Sequence, residues 1–195
     1  NYEGKINSLN GPALLVALEK LEIIDERMDK ILSFAHLLYA ENVDEVKNKI
    51  FFQQMQEKIT KISSLLIFFT LELNSIKEKK INVLFIFEGL KKFKTWIEIS
   101  RTYKPHQLDK NLEKLMKDKS ITSSAAWIRL FDETIASLRF PFKDKKLSSA
   151  EILNYFSDNN AFNRKEAAKS VGSVLANHVN IFCTITNTLA KDKAI

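Results

Sequence analysis

Turn-making residues are scarce in this sequence. Four glycines and three prolines in 195 residues are too few for a fold built on tight turns. That excludes a many-stranded β architecture and leaves long uninterrupted segments, which favour helices. A single cysteine, Cys183, excludes an intramolecular disulfide, and a reducing compartment is the simplest reading. The most apolar window, residues 65–71, is far shorter than the roughly 20 residues a membrane span needs. The apolar stretch at residues 13–18 ends at Glu19 and has no basic lead-in, so it does not read as a signal peptide. No membrane partner is expected.

Histidine is equally sparse. A zinc peptidase of the zincin class needs H-E-x-x-H on a helix, two zinc ligands one turn apart with a general base between them. His36 is followed by Leu37, His106 by Gln107 and His178 by Val179, so no pair of ligands forms. His178 falls on an apolar stripe and reads as a satisfied core histidine. Cys183 lies five residues further on, at a different angle round the same helix, and reads as a buried inert thiol. There is no glycine-rich phosphate loop. Asp132 and Glu133 are adjacent and cannot aim both carboxylates at one atom. No catalytic, metal-ligating or cofactor-binding residue is assigned.

The apolar fraction, 45%, is enough for a real core. Charge is uneven. Residues 1–75 carry 8 Lys/Arg against 11 Asp/Glu, residues 76–104 carry 8 against 3, and residues 105–195 carry 14 against 10. The basic middle admits a nucleic-acid or acidic-peptide surface, and Lys91, Lys92, Phe93, Lys94 and Trp96 interleave bases with aromatics as some single-strand binders do. Arginine, the preferred reader of phosphates and bases, is scarce. A solvated lysine face is the plainer reading, and no nucleic-acid partner is expected.

The periodicity predicts an all-α chain. Residues 1–9 read as a tether. Asn10, Gly11 and Pro12 open an amphipathic helix whose stripe is Leu14, Leu18, Leu21, Ile24, Met28, Ile31, Ala35 and Leu38. Asn42 and Glu45 offer a capping box for a second helix. Met55, Ile59, Ile62, Leu66, Phe69, Leu73 and Ile76 repeat as a heptad seam. The short connection makes the two helices antiparallel. The seam serves either an internal hairpin or a dimerising coiled coil.

Residues 77–80 read as a turn or a frayed end, and residues 81–101 as a third helix ended by Lys104-Pro105. A short helix is expected at 109–117. The next helix is capped by Ser120, Thr122, Ser123 or Ser124 and lined by Trp127, Leu130, Phe131, Ile135 and Leu138. Residues 139–147, RFPFKDKKL, predict a small β-hairpin. Ser148 or Ser149 caps a short helix. After the polar turn at 157–160, a last helix from about Phe162 carries the stripe Val171, Val174, Leu175, His178, Phe182, Ile185 and Leu189.

Three segments carry a more specific signal. Residues 102–108 read TYKPHQL, residues 123–142 read SSAAWIRLFDETIASLRFPF, and residues 186–194 read TNTLAKDKA. In this order and spacing the sequence resembles the N-terminal region of oligoendopeptidase F-type (thimet-like) zinc metallopeptidases. The matching positions are Tyr103, Pro105, His106, Trp127, Leu130, Phe131, Asp132, Glu133, Phe140, Pro141, Arg164, Ala167, Ala168, Asn187 and Leu189. The segment after Leu108 is usually strongly acidic in that family, and here Lys110 and Asn111 intervene.

The resemblance implies two regions: residues 1–104, a helical hairpin with a third helix, and residues 105–195, a helical domain of the oligoendopeptidase F N-terminal type. It further implies a cytoplasmic parent enzyme that hydrolyses short peptides, with zinc in a catalytic domain of the same polypeptide. This chain would then be a non-catalytic wall or lid of the substrate channel. The alternatives are a stand-alone helical interaction module, dimerising through the 55–76 seam, and a basic nucleic-acid binder.

Overall fold

The computed structural model describes residues 2–43 and 45–194. The chain is mostly helical and divides into two compact units: Asn1–Leu38 with Ile50–Lys119, and Tyr39–Lys49 with Ser120–Ile195. The sequence division at 104/105 rests on the resemblance; the compact units divide at 119/120.

The first unit is built on the long hairpin α1 (Gly11–Glu41) and α2 (Val46–Ser75). Asn10 starts α1: its Oδ1 accepts the Ala13 N–H at 3.0 Å, and Pro12, which has no N–H to satisfy, follows directly. Leu14, Leu18 and Leu21 of α1 meet Phe69, Leu73 and Ile76 at the C-terminal end of α2 in one core. The seam therefore serves the internal hairpin there. Towards the other end of α2 it is open, and Ile62 is 45% exposed. The apolar pattern on α1 is likewise wider than its buried stripe: Ile24 and Ile31 face solvent, while Met28 and Ala35 are buried.

Two expectations in this unit are corrected. The tether expected at residues 1–9 is not one over its described part, residues 2–9, because Ile6 is fully buried and the Glu72 carboxylate accepts the N–H groups of Gly4 (2.6 Å) and Ile6 (3.1 Å). The third helix is broken into α3 (Glu78–Leu84), a 3-10 turn (Glu88–Phe93) and α4 (Lys94–Thr102). Residues 77–80 open α3 instead of forming a turn, with Lys77 extended at its N-cap. Packing is the reason for the break. In one continuous helix Leu84 and Leu90 would point to different faces; broken at Phe85–Phe87, both reach the core with Ile81, Phe93 and Ile97. Gly89 permits it, since a Cβ there would lie 2.7 Å from Leu15 Cδ2 and 2.9 Å from the Phe87 ring. α5 (Lys110–Lys119) ends the unit, its first turn held by Asp109 Oδ1, which accepts from Asn111 and Leu112.

In the second unit α6 (Ser124–Ser137) leads into the hairpin β1 (Phe140–Phe142) and β2 (Lys145–Leu147), where the sequence places it. Phe140 pairs with Leu147 and Phe142 with Lys145, which turns Phe140, Phe142 and Leu147 inward and Pro141 outward. Lys143 makes the turn at φ 52°. Ser148 and Glu151 form a reciprocal capping box at α7 (Ser149–Asn154). Asn160 Oδ1 accepts from Phe162 to start α8 (Ala161–Asn177). The core joins the hairpin, Ile152 and Ala167, with Val171, Val174, Leu175 and Phe182 packed on it.

The expected single last helix is also corrected. It breaks at His178 (φ −113°, ψ 10°) into α8 and α9 (Val179–Lys193). The His178 N–H bonds the Leu175 carbonyl, and its Nδ1 lies 2.8 Å from the Val174 carbonyl, so the histidine is satisfied, as its place on the stripe predicts. Cys183 is exposed, not buried. Beyond the break Phe182 and Ile185 take the inward side of α9, and Cys183 stands next to them on the outer side.

Among the described residues no single helix is long and apolar enough to cross a membrane. The pair α2 and α3, bent by 100°, passes the same test of length and composition. Its apolar residues Phe69, Leu73, Ile76, Ile81 and Leu84 are spent in the core.

Candidate functional site

The residues singled out by the resemblance fall in separate places. Tyr103, Pro105 and His106 sit on a 3-10 turn just after α4 and are exposed. The turn closes through the His106 N–H to the Tyr103 carbonyl at 2.9 Å. Tyr103 and His106 line a hollow of about 360 Å³ against Ile67, Thr70 and Leu71 of α2, with Glu113 at its edge. Glu113 Oε1 accepts the Leu108 N–H (2.9 Å), which ties α5 back to this turn.

In the second unit, α6 carries Trp127, Leu130, Phe131, Asp132 and Glu133. Trp127 is only half-buried, and Leu130 and Phe131 are 40% and 43% exposed, so the stripe the sequence assigned to a core is largely open here. Phe131 meets Phe182 edge-on at 5.7 Å. Glu133 pairs with Lys49 at 3.7 Å. Burial, and then the charges of Glu133 and Asp132, push the Tyr39 hydroxyl above its ordinary pKa. Phe140 is buried and Pro141 exposed in the hairpin. Arg164 donates to the carbonyls of Asp158 (2.7 Å) and Asn159 (3.1 Å) and holds the turn before α8. Ala167 is buried, Ala168 and Asn187 are exposed, and Leu189 is half-buried. These residues act as supports and surface; they do not form one site.

An open groove of about 840 Å³ runs along α1 in the first unit. Leu18, Leu21 and Phe93 lie at its buried side, and Phe34, Leu37 and Trp96 stand exposed around it. Glu22, Asp25, Glu26 and Asp29 also line it. Their spacing of three, four and seven residues puts them on one edge of the helix. Two cations reach the groove, and each is engaged: Lys30 with Glu26 at 2.5 Å, Lys92 with Glu19 at 2.9 Å. The hydrogen bond from Lys30 holds the Glu26 carboxyl below its ordinary value, and the bond to Glu19 raises Lys92. Asp25 behaves oppositely. Burial, and then the neighbouring Asp29, push its carboxyl up, against a smaller opposing pull from Lys117.

No histidine or cysteine lines the groove. The arrangement suits binding of a cationic, apolar group. The sequence reading missed it because Phe34 and Leu37 fall outside the stripe it assigned to α1. The available signal was a run of four acids on the flank of exposed Phe34 and Leu37.

The zinc implied by the resemblance does not fit these residues. Among the described residues no group of three or more His, Cys, Asp and Glu side chains could hold a metal ion.

Comparison with known proteins follows the same line. Residues 72–140 match the N-terminal peptidase M3 family model described as Oligopeptidase F. That stretch contains the Tyr-Lys-Pro-His turn and all of α6 up to Phe140; Pro141, Arg164 and Asn187 lie beyond it. No curated protein matches the sequence. The crystal structure of oligoendopeptidase-F from Enterococcus faecium superposes with a TM-score of 0.82 at 18% identity, over 96% of this chain and 37% of that one. At that identity the likeness is one of fold, and this chain spans little more than a third of the enzyme's length. Residues 72–140 thus carry the N-terminal signature of oligopeptidase F, within a chain folded like a portion of an oligoendopeptidase F.

Proposed function

We propose that this chain is the non-catalytic N-terminal part of a zinc metallo-oligoendopeptidase, forming a wall or lid of the channel through which short peptides reach a zinc centre held by another domain. The family match at residues 72–140 carries this reading. The fold shared with the Enterococcus faecium enzyme supports it. Its histidines lie far apart in sequence and do not assemble a ligand set, so another part of the enzyme has to supply the metal and the general base. The half-open stripe on α6 offers an apolar face for that part to cover. The parent enzyme would work in the cytoplasm on short peptides.

The test is hydrolysis of a quenched fluorogenic peptide library by the chain alone, and by the chain together with the catalytic part. The expected result is no turnover alone and chelator-sensitive turnover together. Metal-dependent turnover by the chain alone, surviving repurification, overturns the reading.

The rival surfaces have less support. The C-terminal half of the seam is occupied by the chain's own core. The three lysines of the basic aromatic run are paired, Lys91 with Glu88, Lys92 with Glu19 and Lys94 with Glu98, and Phe93 is buried.

A further inference from the structure

We propose that the groove along α1 binds a short extended peptide that alternates basic and large apolar side chains. This deepens the reading of the chain as a peptidase wall and rests on it for the peptide itself. The groove's volume, about 840 Å³, is the size of a pocket for several side chains. Its apolar side is ready-made: Phe34 and Leu37 are 61% and 67% exposed, and Trp96 stands opposite them.

Charge selects the occupant. Four carboxylates line the groove against two lysines, and those lysines are bonded to Glu26 and Glu19. Those two ion pairs go to Glu26 and Glu19, and Lys117 of α5 adds a pull on Asp25 smaller than the push from burial and Asp29. Burial and the nearness of Asp29 raise the cost of ionising Asp25, which a peptide ammonium would relieve.

Spacing agrees. Asp25 and Asp29 are one turn apart, about 6 Å along the helix. Alternate side chains of an extended peptide lie about 6.6 Å apart on one face. Two lysines at i and i+2 can therefore meet the two aspartates, while the residues between them turn away from α1, towards Phe93 and the exposed Trp96. Anionic partners such as nucleic acid or an acidic lipid surface meet repulsion at this edge.

The chain as a whole carries +6, so non-specific attraction would favour an acidic peptide. A preference for a basic one has to come from the groove. The experiment is calorimetric titration of the chain with three acetylated, amidated hexapeptides: alternating Lys-Leu, alternating Glu-Leu and alternating Lys-Ser. The Lys-Leu peptide should bind at least about tenfold more tightly than either of the others, and D25N/D29N should lose about tenfold in affinity for it, the size expected of two partly exposed ion pairs. F34A/L37A should weaken the same peptide independently, and circular dichroism checks that each variant is folded. No binding of Lys-Leu, equal binding of Glu-Leu or Lys-Ser, or an unchanged affinity in folded D25N/D29N overturns the proposal. Failure here leaves turnover in the presence of the catalytic part untouched. Absence of that turnover, with selective binding intact, overturns the peptidase reading and not the groove.

Discussion

Arg101 holds the end of α2. Its guanidinium, largely covered, donates to the carbonyls of Leu73 (3.1 Å), which also accepts the Ile76 N–H (3.3 Å), and of Ile76 (3.0 Å), just past the helix end, and it pairs with Glu78 at 2.7 Å. Asn74 beside it is fully buried and donates to the Ser100 carbonyl at 3.1 Å, so α2 and α4 are tied by polar groups inside an apolar unit. Replacing Arg101 by Ala removes these charged hydrogen bonds and should cost about 2–3 kcal/mol in urea unfolding, the range for hydrogen bonds from a charged donor. Arg101→Lys should recover only part, because an ammonium cannot fork across two carbonyls.

Asp25 gives a residue prediction of opposite sign. Its carboxyl is raised in the folded chain, so the folded state holds the proton more tightly than the unfolded state does. Stability then falls as pH rises from the ordinary carboxylate value, 3.8, through the raised one. Asp25→Asn should stabilise the chain at neutral pH, and the gain should vanish as pH drops through that window. Melting temperatures of both proteins from pH 3 to 7 check this; a constant difference would show that the ionised carboxylate is not the cause.

At the scale of elements, the helical hairpin, the β-hairpin and the caps of α1 and α7 were legible because each rests on a local pattern. Asn10 before Pro12, Ser148 three residues before Glu151, and Phe-Pro-Phe before a charged turn all act within one turn of chain. The breaks at 85–87 and at His178 were not legible. They arise where distant residues compete for one core, as Leu84 and Leu90 do, and periodicity within a segment carries no trace of that contest. Burial along α2 was also hidden. The seven apolar positions of the seam look equivalent in sequence, yet Leu73 is fully buried and Ile62 is 45% exposed. Leu73→Ala should therefore cost about 2–5 kcal/mol, and Ile62→Ala under about 1 kcal/mol. Trp127 follows the same logic. Half-buried, it should cost about 1–2 kcal/mol on truncation, well short of the roughly 3–5 kcal/mol of a fully buried tryptophan. Denaturant midpoints of the three variants rank them directly. The candidate groove was least legible of all, since it depends on which apolar residues of α1 remain uncovered.

For the whole molecule, the question is what covers the apolar surface left open. Apart from the groove on α1, Leu112, Leu115 and Met116 on α5, and Ile128, Leu130 and Phe131 on α6, are exposed. Scattered exposed apolar residues are ordinary, but contiguous runs on a helix mark surfaces that bind something. If the chain is one part of a larger peptidase, those surfaces await the catalytic part, and a dimer through the seam is not their remedy. The chain alone should then sediment as a monomer at micromolar concentration, enhance the fluorescence of a hydrophobic dye and aggregate on mild heating. Adding the catalytic part in trans should lower both the dye signal and the aggregation. The seam variants separate this from a dimerising module. Ile62→Glu falls on an exposed position and should leave a folded monomer unchanged in mass. Phe69→Glu puts a charge into the core and should abolish folding outright. A tight dimer in the parent chain that Ile62→Glu dissolves into folded monomers would instead make the open half of α2 an interface between two copies, and the peptidase-wall reading would lose its account of that face.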